Sequence, residues 1–156
     1  MAVFSANRAA FTPSTTANNF TMLNAGANYY AHILAIGWGG RGTGSSSYRT
    51  RWFRPAGGGN GAGTQLTINK HSPGSATSGA AIYQNWTVSE PTPPADPANL
   101  FAIDWDVHGG NGVLMLPPGD GWTFCIGPAF DSSYFCCRNT QGTDANLSNY
   151  WVMWEE

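Results

Sequence analysis

Six consecutive residues, Leu116-Pro117-Pro118-Gly119-Asp120-Gly121, form a stop that neither a helix nor a strand can cross. Two prolines fix φ and remove two backbone donors, the glycines permit positive φ, and the Asp120 side chain can hydrogen-bond within its own turn. Before the stop runs the apolar set Val113, Leu114, Met115 and Leu116. After it Trp122, Phe124 and Ile126 alternate with Thr123 and Cys125. Both flanks read as short strands, and residues 111–126 together read as a hairpin with a rigid corner. Asp120 is assigned to capping that turn rather than to chemistry.

The same punctuation recurs throughout. With twenty Gly and ten Pro in 156 residues, no window keeps apolar residues at i, i+3, i+4 and i+7 for three turns, so the chain is expected to be all-β. Charged residues make up only 10% and aromatics 13%, with seven Trp, the reverse of a disordered composition. A chain of this length can bury roughly 70% of the surface it exposes when unfolded, and needs no disulfides to do so. The expectation is a single-domain β-sandwich of about eight short antiparallel strands. Residues 1–27 form an extended N-terminal arm or an edge strand, and residues 28–156 the sandwich. The proline-rich stretch 90–97 is read as a stiff connection between sheets.

Strand patterns name candidate core and surface residues. In residues 28–38, Tyr30, His32, Leu34, Ile36 and Trp38 share one face and Tyr29, Ala31, Ile33, Ala35 and Gly37 the other, both largely buried. His32 is read as a hydrogen-bonded core residue. In residues 100–108, Phe101, Ile103, Trp105 and Val107 point inward, and Ala102, Asp104, Asp106 and His108 outward. Tyr150, Trp151, Val152, Met153 and Trp154 are apolar on both faces, so that strand must be central or covered. Cys125, Cys136 and Cys137 are odd in number and two are adjacent, which reads as reduced thiols.

Charge is segregated along the chain. Residues 1–89 hold six Lys or Arg and no acid, whereas residues 90–156 hold nine Asp or Glu and Arg138 alone. Such a chain could attract copies of itself or a charged scaffold if the sets stay apart; interleaved strands would mix them. In residues 48–54, Tyr48, Thr50, Trp52 and Arg54 lie on one face and Arg49, Arg51 and Phe53 on the other. The candidate interface residues are Phe4 and Phe11 from the N-terminal segment, Arg41 from the Gly/Ser loop, and Arg49, Arg51 and Arg54.

Several function classes find no support. Arginines among aromatics suit single-stranded nucleic acid, but a sequence pI of 5.8 is no basic footprint, and no nucleic-acid partner is expected. The run Gly57-Gly58-Gly59-Asn60-Gly61-Ala62-Gly63 lacks the Gly-Lys-Ser/Thr ending of a phosphate loop. Asp104, Asp106 and His108 are the best metal candidates, yet no further ligands stand at suitable spacing. Two carboxylates on one strand face do not flank a sugar bond as a glycosidase pair does. No Ser-His-Asp or Gly-x-Ser-x-Gly arrangement appears. No catalytic residue, metal or cofactor is assigned, and the chain is expected not to be an enzyme. The beginning of the sequence has no basic segment followed by an apolar one, and no run approaches membrane-spanning length, so cytoplasmic synthesis and no membrane partner are expected.

The opening Met1-Ala2-Val3-Phe4-Ser5-Ala6-Asn7-Arg8-Ala9-Ala10-Phe11-Thr12-Pro13, the block 100–126 with its Trp105 strand and Leu-Pro-Pro-Gly-Asp-Gly corner, and the ending Trp154-Glu155-Glu156 carry a resemblance. The chain resembles capsid decoration (cement) proteins of tailed bacteriophages. That resemblance implies a jelly-roll-like sandwich, a homo-oligomer bound to the major capsid protein, and a place on the capsid surface of a virion assembled in the host cytoplasm. It covers about half of the chain, and the Gly-rich loops 39–47 and 57–63 have no counterpart in it. The alternative is a tail, host-receptor or carbohydrate-binding sandwich, motivated by seven Trp and six Tyr.

Overall fold

The computed structural model describes residues 1–24, 30–42, 47–56, 63–86, 90–95, 100–106, 108–116, 124–127, 134–141 and 147–156. Twelve strands and no helix occur among them: β1 (Val3–Phe11), β2 (Phe20–Asn24), β3 (Ala31–Gly40), β4 (Ser47–Phe53), β5 (Thr64–Gln65), β6 (Ile68–Lys70), β7 (Ala80–Gln84), β8 (Phe101–Asp106), β9 (Asn111–Met115), β10 (Phe124–Ile126), β11 (Phe135–Gln141) and β12 (Ser148–Glu155). They form two six-stranded antiparallel sheets. The front sheet runs β10-β3-β12-β1-β6, with β9 also on β3, and the back sheet runs β5-β7-β2-β11-β4-β8. No helix among the described residues is long and apolar enough to cross a membrane.

The pairings nest from outside in and alternate between sheets. β1 pairs β12 in front, β2 pairs β11 behind, β3 pairs β10 in front and β4 pairs β8 behind. This is one long hairpin wound into a sandwich, the jelly-roll arrangement. Twelve strands replace the expected eight because β5, β6, β7 and β9 extend the sheets.

The first 24 residues are neither an arm nor an edge. β1 lies between β12 and β6, and β2 lies between β11 and β7. Alternation drives this placement: Phe4 and Ala6 enter the interior while Ser5 and Asn7 face out, a period-2 pattern that the small residues between had obscured.

Residues 111–126 do not form a hairpin. β9 opposes residues 35–39 of β3 and β10 opposes residues 31–33, both antiparallel. Since β12 occupies the other edge of β3, β9 and β10 run in line along one edge, joined through the Leu116 N–H donating to the Leu34 carbonyl (2.8 Å). The Pro-Pro-Gly corner at 117–121, with Asp120, lies outside the described residues.

A bulge in β3 corrects the face assignment made for that strand. Met153 opposes Ala35 but Trp154 opposes Ile33, so Leu34 is an extra residue. Ala31 and Ile33 point into the core before it and Ile36 after it. His32 consequently lies on the outer side, half-buried, and its Nδ1 has no partner among the described residues.

The interior is aromatic. Trp52, fully buried, packs against Phe20 (5.2 Å), Phe135 (5.2 Å) and Phe101 (5.8 Å), and Tyr48 stacks on Trp105 (5.3 Å). Trp105, as its strand pattern predicts, and Trp154, whose strand is apolar on both faces in sequence, are core residues, 6% and 0% exposed. One polar knot joins the sheets: Trp105 Nε1 donates to Thr50 Oγ1 (2.8 Å), and Thr50 and Tyr150 hydroxyls donate to Asn139 Oδ1 (2.9 and 2.6 Å). Burial pushes the Tyr150 phenol well above its ordinary range, so it stays a donor. Removing one member would leave buried partners unmatched, at about 1–3 kcal/mol each.

Candidate functional site

Burial and pairing disperse the six candidate interface residues. Phe4 is 1% exposed, stacked on Trp154 at 5.9 Å inside the sandwich. Phe11 packs on Tyr150 (5.4 Å), with the Arg8 guanidinium 3.9 Å over its ring. Arg51 is buried and donates to the Pro94 carbonyl (3.1 Å), and Arg54 donates to the Cys125 carbonyl (2.6 Å), tying β4 to β10 across the sheets. Arg41 and Arg49 remain exposed. Arg49 makes a two-pronged contact with Asp104 (2.8 and 3.0 Å), which holds that carboxyl below the usual carboxylate range. This pair joins the basic and acidic parts of the chain, so the charge segregation of the sequence is mixed at the β4–β8 edge.

The metal candidates do not converge. Asp104 is taken by Arg49, and Asp106 Oδ1 accepts from the His108 N–H (2.7 Å), a turn cap. His32, Cys125 and Glu155 stand opposite one another across β10-β3-β12. No group of three His, Cys, Asp or Glu among the described residues could hold a metal ion.

The two outer faces of the sandwich differ. Behind, the stretch 90–95 lies over the sheet as a strap. Arg138 Nη2 contacts Glu90 Oε1 (2.9 Å), Asn18 Nδ2 donates to the Pro91 carbonyl (2.9 Å), and the Ala56 N–H donates to the Thr92 carbonyl (2.9 Å). The backbone N–H of Asn18 also donates to Glu90. Phe53, Tyr134 and Cys136 make a small second core on this side. Complete burial pushes the Cys136 thiol up to about 12.

In front, the outward side chains stand in three rungs across β9, β3 and β12: Met115–Ala35–Met153, Val113–Gly37–Trp151 and Asn111–Gly39–Asn149. Ser5 and Asn7 of β1 continue the first two. The middle strand offers only Ala35, Gly37 and Gly39, so its backbone is the floor of a trough. The Trp151 indole packs down on Gly37, where a Cβ would collide with its ring, and on the inner side of the sheet Trp38 packs on Gly112 with the same close approach. These glycines are there for close approach.

Two depressions flank Trp151. One, of about 420 Å³, is lined by Trp38, Gly39, Asn111, Gly112, Val113, Asn149 and Trp151. The other, of about 240 Å³, is lined by Ser5, Ala6, Asn7, His71, Trp151 and Met153. Polar groups are held in place around them: Asn149 Oδ1 accepts from the Ala10 N–H (2.8 Å), and His71 Nε2 lies 3.0 Å from Ser5 Oγ. Ala10 has φ of 53°, a left-handed conformation at the bulge of β1 that aims its N–H at Asn149. Sequence reasoning read Trp151 only as part of an apolar strand; the glycines opposite it in register make it a site wall, and register is set by tertiary pairing.

No family model matches this chain, and no curated protein or solved structure matches it.

Proposed function

We propose that this chain is a non-enzymatic structural protein of a phage virion, a decoration protein that binds the shell built by a major capsid protein. The observation that supports the reading is the nested jelly-roll pairing of β1 with β12, β2 with β11, β3 with β10 and β4 with β8. It is the architecture implied by the resemblance of residues 1–13 and 100–126 to such proteins. The step from this fold to that function is an analogy.

The docking surface in this reading is the end of the sandwich where β3 and β11 finish and β4 and β12 begin. Arg41 and Arg49 are exposed there, and the Arg41 N–H donates to the carbonyl of Leu147 (2.8 Å), itself 40% exposed. Weak contacts of this kind, repeated across a lattice by a homo-oligomer, gain strength from avidity. The test mixes purified protein with shells that lack it. Saturable, stoichiometric binding that weakens in salt and in an Arg41→Glu/Arg49→Glu variant is expected. Absence of binding at every salt concentration overturns the reading.

A further inference from the structure

We infer that the front face carries a binding site for an uncharged oligosaccharide, laid across the strands over Trp151. This goes beyond the shell-binding reading and does not depend on it. The site is concave, and its larger depression of about 420 Å³ is within the roughly 300–1,000 Å³ range of small-molecule pockets.

Its chemistry selects the ligand class. Sugar rings present an apolar C–H face and a rim of hydroxyls that both donate and accept. Trp151 offers indole surface for the first, and Asn111, Asn149 and Asn7 offer amides, which donate and accept, for the second. Apart from the imidazole of His71, the lining has no ionisable side chain, so nothing there repays the desolvation of a phosphate, a carboxylate or an ammonium group. A neutral polyol loses least on entering. The depressions lie on either side of one indole, from β9 to β1. At about 4.8 Å between strands, that span is on the order of 14 Å and accommodates more than one ring.

The site is also preorganised. Gly37 lets the Trp151 indole rest on backbone, and all five named side chains except His71 stand on strands, so little ordering cost falls on binding. A merely protective role for Trp151, covering the sheet, would leave the flanking depressions without use.

The experiment titrates the full chain with cellotetraose, maltotetraose and tri-N-acetylchitotriose, with sialyllactose as an anionic comparison, following tryptophan emission and calorimetry in the absence of shells. The expected result is saturable binding of at least one neutral probe and at least tenfold weaker binding of sialyllactose. Asn111→Ala should weaken binding about fivefold, as loss of one hydrogen bond does. Trp151→Ala and Gly37→Ala, the second keeping the indole but displacing it, should each weaken it more than tenfold, with cooperative unfolding retained as the control for folding. No saturable binding of any neutral probe up to about 10 mM overturns the inference; that limit corresponds to about 2.7 kcal/mol of affinity. Binding that survives in a folded Trp151→Ala variant overturns it too. A dimer in sedimentation that Trp151→Ala dissolves, with no sugar bound, assigns the face to a second copy instead. Shell binding is scored separately on the Arg41/Arg49 variant, so either reading can fail while the other stands.

Discussion

The back and front faces of this sandwich come from similar strands and end in opposite conditions. Behind, Phe53, Tyr134 and Cys136 are buried, and the stretch 90–95 is held to the same sheet by the Arg138–Glu90 pair at 2.9 Å. In front, Val113 and Met115 are 56% and 62% exposed, and Trp151 and Met153 are half-buried around a floor of glycine. The back face binds a piece of its own chain. The front face leaves comparable residues open to something else, and exposed apolar patches rimmed by polar groups commonly mark interaction surfaces. Covering depends on what the chain can lay over a sheet, and proline-fixed extended backbone is well suited to that, since it spans distance and demands few hydrogen bonds.

The sharpest contrast should be chemical. Cys136 and Cys137 are buried and Cys125 is half-buried, and burial raises all three thiols. Under native conditions a maleimide should label Cys125 alone, with Cys136 and Cys137 protected by at least ~10³-fold, the equilibrium limit for global opening of a stable domain. Rapid native labelling of Cys136, followed by mass spectrometry, would show that this side is not closed. The sign of the pH effect follows from the same burial. Cys136 stays protonated to about 12 when folded, against 9.0 ordinarily, so the unfolded chain releases its proton first and stability should fall as pH rises through that window, with no contribution below it.

Next in size, Phe53→Ala should cost about 3–5 kcal/mol in denaturant unfolding, as much as removing the fully interior Trp154. A cost below about 1 kcal/mol would place Phe53 outside any second core. Arg138→Met should cost about 1–3 kcal/mol, because Glu90 would lose a charged partner in a half-buried setting. Trp151→Ala on the open face should cost only about 1–2 kcal/mol, since part of the ring already meets water. Met115→Gln should change stability by less than about 0.5 kcal/mol; a larger loss at micromolar protein concentration, absent on dilution, would reveal that a second copy covers the front.

Legibility in the sequence followed the range of the forces involved. Phe101–Trp105 shows clean alternation, and its inward tryptophan is in the core because period 2 is a local rule, whereas Tyr150–Trp154, apolar on both faces, announced a central strand but not which of its two tryptophans faces in. The extra residue at Leu34 breaks that rule inside β3, and nothing in Ile33-Leu34-Ala35-Ile36 announces a bulge. Leu116-Pro117-Pro118-Gly119 announces a break but not where the chain goes next, so the in-line course of β9 and β10 along β3 was read as a hairpin. Proline density in 90–97 revealed extended backbone but not the face it covers. Trp151 escaped notice for a related reason: its role depends on Gly37 lying opposite, more than a hundred residues away in sequence.

The pairing of β1 with β12, Val3 opposite Glu155 and Phe4 opposite Trp154, has a kinetic consequence. The middle of the front sheet exists only once segments from opposite ends of the strand order have met, and closing so long a loop has a high entropic cost before any contact repays it. Refolding should therefore be slow, on the millisecond-to-second scale of high-contact-order β proteins. During synthesis the Phe4 strand can meet β6 first, but its other edge must wait, unpaired, for β12. The Glu156 carboxylate then fastens that seam, accepting from Ser78 Oγ (2.6 Å), the Gly79 N–H (2.7 Å) and Trp154 Nε1 (2.9 Å). It works as a latch that can form only when both sheets are already in place.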